Sequence, residues 1–298
     1  MTGLTSPHDP RLRIAAIDFL NPAPLMWDFE HPPLATQLAE RYRMDRMVPS
    51  ECARRLAEGE ADLGLIPIAA LATSPHLRVL PGCTIASKGH IRSLLLVRRA
   101  GQPISAIRTV AADTASRTTN TYARILFRLW GNPQAEFLPM KVDLDAMLKA
   151  ADAAVVIGDP ALYARQDMEA RLARTGEELV YYDMAEVWRE QTGLPFISAV
   201  WCAAAARGNV LDERVAEDCI RSRDNGLQHI DDLVAEWSPR MKLPAEVLRD
   251  YLGNNLHYVL DDECIEGMRG FYRYAAEFGI LPRYEPPASS SWKLGARG

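Results

Sequence analysis

The sequence lacks the features that mark several common classes of protein. Its five cysteines are widely spaced and contain no C-x-x-C pair. This spacing argues against a disulfide framework or a zinc site and favours reduced thiols in a cytoplasmic protein. No apolar run approaches the ~18 residues that a membrane span needs. The first ten residues have neither the basic nor the apolar segment of a secretion signal. We therefore expect a cytoplasmic protein without a membrane partner.

Neither positive nor negative charge is in large excess. The chain has 34 Lys and Arg against 39 Asp and Glu, a net charge of −5, and no Lys/Arg block longer than a pair. A nucleic-acid partner is therefore not expected, and the basic cluster at 41–46 is interpreted as solvated surface. The sequence also lacks a Gly-rich phosphate loop, a nucleophile elbow, a paired-carboxylate motif and any H-E-x-x-H spacing, so none of these motifs identifies its chemistry.

What is present is an alternation of two patterns. Short apolar runs, read as strands, are followed by polar turns and then by apolar residues at helical spacing. This alternation predicts an α/β protein with mainly parallel sheets and, beyond residue 204, a wholly helical C-terminus. The predicted strands are 13–17, 63–67, 90–99, 109–113, 152–158 and 194–204.

The length of 298 residues suggests two domains. Two long strands, around 93–98 and 196–203, flank a self-contained block and predict hinge strands between two lobes. The predicted large lobe comprises 11–97 and 203–285, the small lobe 98–202, and 286–298 forms a flexible tail. In such a design ligands bind between the lobes, near strand ends. A tandem of two domains is the alternative, although no Pro/Gly/Ser-rich linker supports it.

Polar residues cluster where four predicted strands run into helices. At the first, Asn21 precedes two prolines and either caps a helix or meets an anion at the helix start. At the third, hydroxyls and an arginine form either an anion cradle or an ordinary Ser/Thr cap beside a surface arginine. The candidate residues are Asn21; Ser87, Gly89 and Ser93; Ser116, Arg117 and Thr118; and Gly158 and Asp159.

Several segments together resemble one known family. They are "FLNPAPL", "LAEGEADLGLIP", "IASKGHIRSLLL", "DTASRT", "VVIGDPAL", "TGLPFISAVW" and the closing "YLGNNLHYVLD" and "GMRGFYRYAAEFGILP". In this order, from about residue 11 to 282, they resemble the chorismate dehydratase family of the futalosine route to menaquinone. The resemblance implies the type II periplasmic-binding-protein fold. It also implies a cofactor-independent carbon–oxygen lyase that removes water from chorismate to give 3-[(1-carboxyvinyl)oxy]benzoate.

The resemblance also implies roles for particular residues. The family's asparagine falls on Asn21 and its serine on Ser93, which are the expected catalytic pair. Its polar run falls on 116–118, within the expected substrate-binding set. Asp18 and Pro22 depart from the family's common residues, and Asp18 adds a carboxylate near the site.

The base that removes the proton is not fixed by these residues. Because no protein base stands out, the hypothesis is that the substrate's own side-chain carboxylate acts, with Asp18 or Asp159 as rivals. Outside the lyase class, a non-catalytic solute- or anion-binding protein of the same fold is the main alternative, and a ligand-sensing regulator module is another. The sister enzyme acting on cyclic dehypoxanthinyl futalosine needs a base histidine that we do not find. The sequence leaves the choice between monomer and dimer open.

Overall fold

The computed structural model describes residues 9–204 and 213–286. The strands are β1 (Leu12–Ile17), β2 (Tyr42–Met47), β3 (Leu63–Pro67), β4 (Leu77–Ser87), β5 (Leu94–Arg99), β6 (Thr109–Asp113), β7 (Glu136–Met140), β8 (Ala153–Ile157), β9 (Leu179–Asp183), β10 (Phe196–Ala204) and β11 (His257–Leu260). The helices are α1 (Trp27–Glu30), α2 (Leu34–Ala39), α3 (Pro49–Ala57), α4 (Arg117–Leu129), α5 (Leu144–Ala150), α6 (Asp159–Gln166), α7 (Met168–Thr175), α8 (Met184–Thr192), α9 (Glu213–Gln228), α10 (Ile230–Met241), α11 (Ala245–Asp250) and α12 (Asp262–Glu277). Short 3₁₀ helices span Ala23–Met26, Ile68–Thr73 and Ile104–Ala106, and a π-helix spans Tyr251–Asn255.

The strands form two sheets. The first has the order β11-β4-β10-β3-β1-β2 and the second β7-β6-β8-β5-β9. In the first, β1 runs parallel to β2 and β3, but β10 is antiparallel to β3 and β4. In the second, β6 runs parallel to β7 and β8, but β5 is antiparallel to β8 and β9. The α/β prediction is confirmed. "Mainly parallel" is wrong, because β5 and β10, the strands predicted as hinges, run antiparallel to their neighbours and make both sheets mixed.

The predicted strands all exist, two of them with the predicted bounds. The runs 63–67 and 109–113 are β3 and β6. The sequence interpretation missed β2, β4, β7 and β9, and β2 occupies the cluster assigned to solvated surface. The C-terminal region is helical as predicted except at β11, which pairs with the edge strand β4. The expectation of a wholly helical C-terminus is therefore wrong at these four residues.

The chain passes between the sheets twice. It leaves the first sheet after β4 and enters the second at β5, so the outward crossing is 88–93. It returns through 184–195, a segment that contains α8, and rejoins the first sheet as β10. The lobe boundaries at 97/98 and 202/203 stay a prediction. Of the predicted tail, all but residue 286 lies outside the described residues.

Helix α12 packs tightly against the return crossing. A Cβ added at Gly267 would lie 2.9 Å from the Pro195 carbonyl oxygen, and one at Gly270 would overlap the Leu194 side chain. Only glycine permits so close an approach of a helix to a neighbouring chain. The same helix packs its Phe271 against Tyr122 of α4, with ring centroids 4.5 Å apart. Because α4 follows a strand of the second sheet, α12 contacts elements associated with both sheets.

Candidate active site

Asn21 lies just beyond β1, at the start of the first 3₁₀ helix. The predicted capping role is wrong: Pro22 occupies the cap position and no side chain bonds to the first turn. Backbone oxygens take those donors instead, because the Ala23 N–H donates to Leu20 O (2.9 Å) and the Leu25 N–H to Pro22 O (2.8 Å). The Asn21 Oδ1 atom is buried and has no hydrogen-bond partner among the described residues. Buried polar atoms are normally paired, so this oxygen fits a ligand group better than a structural one.

Ser93 ends the outward crossing and is fully buried. Its N–H donates to Ile91 O (2.7 Å), and Arg92 between them has φ +62°. A hydrogen bond across two residues around a positive φ is the rarer and more strained form of γ-turn. Its carbonyl oxygen accepts from the Gly158 N–H (2.7 Å), whereas its hydroxyl has no partner in the described parts of the chain. A strained turn thus presents a hydroxyl that the protein itself does not use.

Asp183, at the end of β9, fixes this turn. Its carboxylate accepts from the Ile91 N–H (3.1 Å) and from the Arg92 N–H (2.7 Å). It also caps α8 by accepting from the Ala185 and Glu186 N–H groups. Backbone strain persists only where its surroundings over-determine it, and this carboxylate supplies that constraint.

Gly158 and Asp159 join the β8–α6 junction to the β1 junction. Gly158 has φ +65°, and a Cβ there would lie 2.9 Å from Cε2 of Phe19. The Asp159 Oδ1 atom accepts from the Leu20 N–H (3.1 Å). Burial raises the pKa of Asp159 to about 6, the Leu20 N–H opposes that rise, and the charge of Asp18 adds to it. A carboxyl that titrates near pH 6 therefore bridges two of the four predicted junctions.

At the start of α4 the structure shows the Ser/Thr cap, and the anion cradle stays a prediction. Ser116 is a cap, since its Oγ accepts from the Thr119 N–H (3.2 Å), and both hydroxyls line the cavity described below. Arg117 is exposed and donates to Thr73 Oγ1 (3.4 Å). Thr118 is buried and its Oγ1 accepts from the Ala69 N–H (3.0 Å).

A small cavity of about 30 Å³ lies where these junctions meet. Its walls include Asn21, Ser116 and Gly158 of the predicted set, with Phe19, Thr119 and Ser198. This volume suits about one water molecule, whereas sites for small organic ligands are roughly 300–1,000 Å³. A larger cavity of about 460 Å³ lies among α5, α6 and α7 and is lined by none of the predicted residues. We assign the site to the smaller cavity, because Asn21 and Ser198, each with an unpaired buried oxygen, line it, and Ser93 directly precedes its lining residue Leu94.

Not every predicted residue belongs to this group. Asn21, Ser93, Ser116, Gly158 and Asp159 come together. Ser87 instead closes its own turn, donating to the carbonyl oxygens of Gly89 and His90 (3.0 Å each), and Gly89 is exposed. The roles of Ser87, Gly89, Arg117 and Thr118 as substrate contacts stay a prediction.

The C-terminal segment contributes residues that the sequence interpretation missed. Tyr251 and Asn255 lie at the two ends of the π-helix, and both have a buried side-chain oxygen without a hydrogen-bond partner in 9–204 and 213–286. The Tyr251 hydroxyl is near enough to that of Ser93 for the latter to lower its pKa, against a larger rise caused by burial. The pair does not meet hydrogen-bond geometry. Tyr258 donates to Asn21 O (3.0 Å). Gly and Asn in "YLGNN" are the sequence hint that could have drawn attention to this turn.

One group among the described residues has the spacing of a metal site. His257, Asp261 and Cys264 place their possible ligand atoms within 4.8 Å of one another. Asp261 is already paired with Lys88 Nζ (2.8 Å), so a cation of the protein occupies the carboxylate. We assign no metal to this group.

Sequence comparisons give two results. A family model described as "Menaquinone biosynthesis" matches residues 12–277. The chain is also 27% identical, over 241 residues, to the chorismate dehydratase of Thermus thermophilus, covering 78% of this chain and 86% of that protein.

Structural comparisons give the fold. A protein from Archaeoglobus fulgidus aligns with a TM-score of 0.67 and 14% identity, covering 92% of this chain and all of that one. The periplasmic aliphatic sulphonate binding protein SsuA from Escherichia coli aligns with a TM-score of 0.61 and 16% identity, covering 98% and 97%. A Candida albicans protein described as having the generic periplasmic binding protein fold aligns at 0.63, with 14% identity, covering 93% and 92%. The predicted periplasmic-binding-protein-like fold is confirmed. No helix in the described ranges is both long and apolar enough for a membrane crossing.

Proposed function

Because the chain belongs to the menaquinone biosynthesis family, we propose that it is a chorismate dehydratase. It removes water from chorismate to give 3-[(1-carboxyvinyl)oxy]benzoate and acts in the cytoplasm as a hydro-lyase without metal or organic cofactor. The name of the Thermus thermophilus relative supports the substrate. The single structural observation that carries the proposal is the pair of unpaired buried atoms, Asn21 Oδ1 and Ser93 Oγ.

The chemistry needs little from the protein beyond orientation and hydrogen bonding. Chorismate carries its hydroxyl and its enolpyruvyl ether on adjacent ring carbons. Loss of the proton from the ether-bearing carbon and of the neighbouring hydroxyl leaves an aromatic ring, so the reaction is strongly downhill. The obstacles are the poor leaving group and competing rearrangements, which positioned donors and a fixed geometry address.

Asn21 and Ser93 are the groups we assign to the leaving hydroxyl. The Ser93 hydroxyl and the Nδ2 group of Asn21 can each donate a hydrogen bond to its oxygen, which stabilises the charge that develops as the C–O bond breaks. The unpaired Oδ1 of Asn21 can only accept, and we assign it to the hydrogen of that hydroxyl in the bound substrate. The departing oxygen takes up the proton that the base removes from the ether-bearing carbon and leaves as water, so the elimination gains and loses no proton overall. Ser116 and Thr119 add hydroxyls, and Gly158 lets the backbone approach closely.

We infer that the base is the substrate's side-chain carboxylate. Asp159 is the stronger protein rival, because its pKa of about 6 suits a general base near neutral pH. One of its two carboxylate oxygens, Oδ1, however, already accepts from the Leu20 N–H (3.1 Å). Asp18 is exposed. If Asp159→Asn or Asp18→Asn binds chorismate normally but no longer turns it over, the carboxylate of the enzyme is the base and this inference is wrong.

The small volume of the cavity requires the site to open before substrate enters. About 30 Å³ cannot hold a ten-carbon dianion. Closure around the substrate would then exclude water and fix the reacting atoms, as in other hinged enzymes.

The deciding experiment is incubation of the purified protein with chorismate, followed by chromatography and mass spectrometry for the aromatic enol ether. Asn21→Ala and Ser93→Ala are expected to lower kcat by about 10²–10³-fold each. Ser238→Ala is the control, since its hydroxyl donates to Leu243 O at the end of α10. Normal rates in both site variants would remove the site assignment.

A non-catalytic anion-binding protein is the second candidate. The alignment with a sulphonate-binding protein favours it, because the fold is shared with proteins that bind without reaction. Tight binding of chorismate with no product after prolonged incubation would select this candidate.

A further inference from the structure

The turn that carries Ser93 is also held from the C-terminal segment. The Arg92 guanidinium forms an ion pair with Asp250 (2.9 Å). The next residue, Tyr251, is fully buried like Ser93, and the Ser93 hydroxyl lowers the pKa of Tyr251 against the larger rise caused by burial. The ion pair joins the last residue of α11 to the strained turn, and the two residues that follow the pair, Tyr251 and Ser93, each have a buried hydroxyl without a hydrogen-bond partner in the described ranges.

Tyr251 differs from the other buried tyrosines of the described residues in that its hydroxyl forms no hydrogen bond. The Tyr272 hydroxyl donates to Ile68 O (2.7 Å), and the Tyr122 hydroxyl accepts from the Ile197 N–H (3.1 Å). The Tyr251 hydroxyl has no hydrogen-bond partner within the described ranges, although the side chain is completely buried. Leaving such a group unpaired costs about 1–3 kcal/mol. The other two buried tyrosines of the described residues are paired as well, since the Tyr42 hydroxyl donates to Asp218 Oδ2 (2.8 Å) and that of Tyr258 to Asn21 O (3.0 Å). The Tyr251 hydroxyl alone among these five has no protein partner in the described parts of the chain.

The local backbone supports a functional interpretation. Tyr251 opens a π-helix, a rare conformation that is frequent at functional sites. The positive φ of Arg92 is a second departure from regular geometry, and it lies directly before Ser93, whose hydroxyl we consider together with that of Tyr251. Strain of this kind persists where the arrangement it produces is used.

Resting on the proposed function, we propose that Tyr251 is a positioning residue for the dehydration. Its hydroxyl donates to Ser93 Oγ when substrate is bound, so that the hydrogen of Ser93 is directed at the leaving hydroxyl. A serine hydroxyl has one hydrogen and rotates freely. A hydrogen bond that Ser93 Oγ accepts therefore fixes the direction in which the hydroxyl hydrogen of Ser93 points. If Ser93 donated to Tyr251 instead, it would have no hydrogen left for the substrate.

The first test is a double-mutant cycle on chorismate turnover. Tyr251→Phe should lower kcat about 10- to 100-fold with KM within about threefold of wild type, because orientation and not binding is lost. The double variant Tyr251→Phe/Ser93→Ala should be no slower than Ser93→Ala alone. Tyr272→Phe, which removes a buried hydroxyl elsewhere, should keep wild-type kcat. A wild-type kcat in Tyr251→Phe, or losses that multiply in the double variant, would overturn the proposal.

The second test does not depend on turnover. The protein has ten tyrosines. When it is labelled with [13Cζ]tyrosine, the 13C NMR resonance of Tyr251 is the one that is missing from the spectrum of Tyr251→Phe. In spectra recorded with saturating chorismate, Ser93→Ala should shift this resonance and leave that of Tyr272 in place; an unmoved Tyr251 resonance under these conditions would refute the pairing. If wild-type protein does not convert chorismate but the resonance moves, the proposed function fails while the pairing of the two hydroxyls is supported.

Discussion

Asp159 provides the sharpest quantitative test of the site. Its pKa is raised from 3.8 to about 6, chiefly by burial. The folded state therefore holds this proton more tightly than the unfolded chain, and the resulting stability, fully present below about pH 4, is lost as the pH rises toward 6. A difference of about two pKa units corresponds to about 3 kcal/mol. At neutral pH, the charged Asp159 thus destabilises the fold.

Asp159→Asn removes this charge and keeps an oxygen for the Leu20 N–H. We expect the variant to melt several degrees above wild type near pH 7.5, at about 2–4 °C for each kcal/mol, and to match wild type near pH 4. Thermal unfolding followed by circular dichroism at four pH values between these limits measures the difference.

Asp152→Asn is the matched control of opposite sign. The Arg108 and Thr109 N–H groups hold the pKa of Asp152 below its ordinary value. This stabilisation is present when the pH is above the pKa of Asp152 in the unfolded chain, and it is lost as the pH falls through the pKa of Asp152 in the folded protein. Asp152→Asn should therefore lower the melting temperature near neutral pH. A melting difference for Asp159→Asn that does not change with pH, or that is negative at pH 7.5, would refute the reasoning.

Three further predictions follow from particular contacts. Arg117→Ala should change the KM for chorismate less than about threefold, because its guanidinium is exposed and bonded to Thr73; a tenfold rise in steady-state KM would restore it as a substrate contact. Thr118→Val should cost about 1–3 kcal/mol in urea unfolding, because it leaves the Ala69 N–H unpaired, and unchanged stability would contradict this. Gly226→Ala should cost at least about 1–3 kcal/mol, since its Cβ would overlap the Pro24 carbonyl; a wild-type melting temperature would show that α9 can shift.

The sequence predicted those parts of the fold whose pattern is local. The apolar runs 63–67 and 109–113 are bounded by clear turns, and both became strands with those bounds. β11 was missed because His257–Leu260 continues a helical spacing of apolar residues, and its conformation depends on pairing with β4. The mixed sheets were missed for a similar reason, since strand direction is set by distant partners.

The site was predictable where a residue's chemistry is visible in its own neighbourhood. Ser93 and Gly158 were singled out at strand ends, and the structure joins them by a direct backbone bond. The Asn21 cap was wrong because backbone oxygens of Leu20 and Pro22 serve the first turn. The Gly and Asn residues of "YLGNN" point only to a turn, and they do not indicate a buried hydroxyl at Tyr251. Ser93, with which we pair Tyr251, lies 158 positions earlier in the chain (251 minus 93).

The close fit between α12 and the return crossing limits how the cleft can open. Pro195 and Leu194 sit in the space left by two missing side chains, one turn apart on the helix. If α12 slid along its axis, Pro195 and Leu194 would meet larger side chains than Gly267 and Gly270. If α12 tilted about these two glycines, the contacts would be kept. We therefore expect the site to open for substrate by a rotation rather than by a shear motion, and the contact of Gly267 and Gly270 with Leu194 and Pro195 would be the pivot of that rotation.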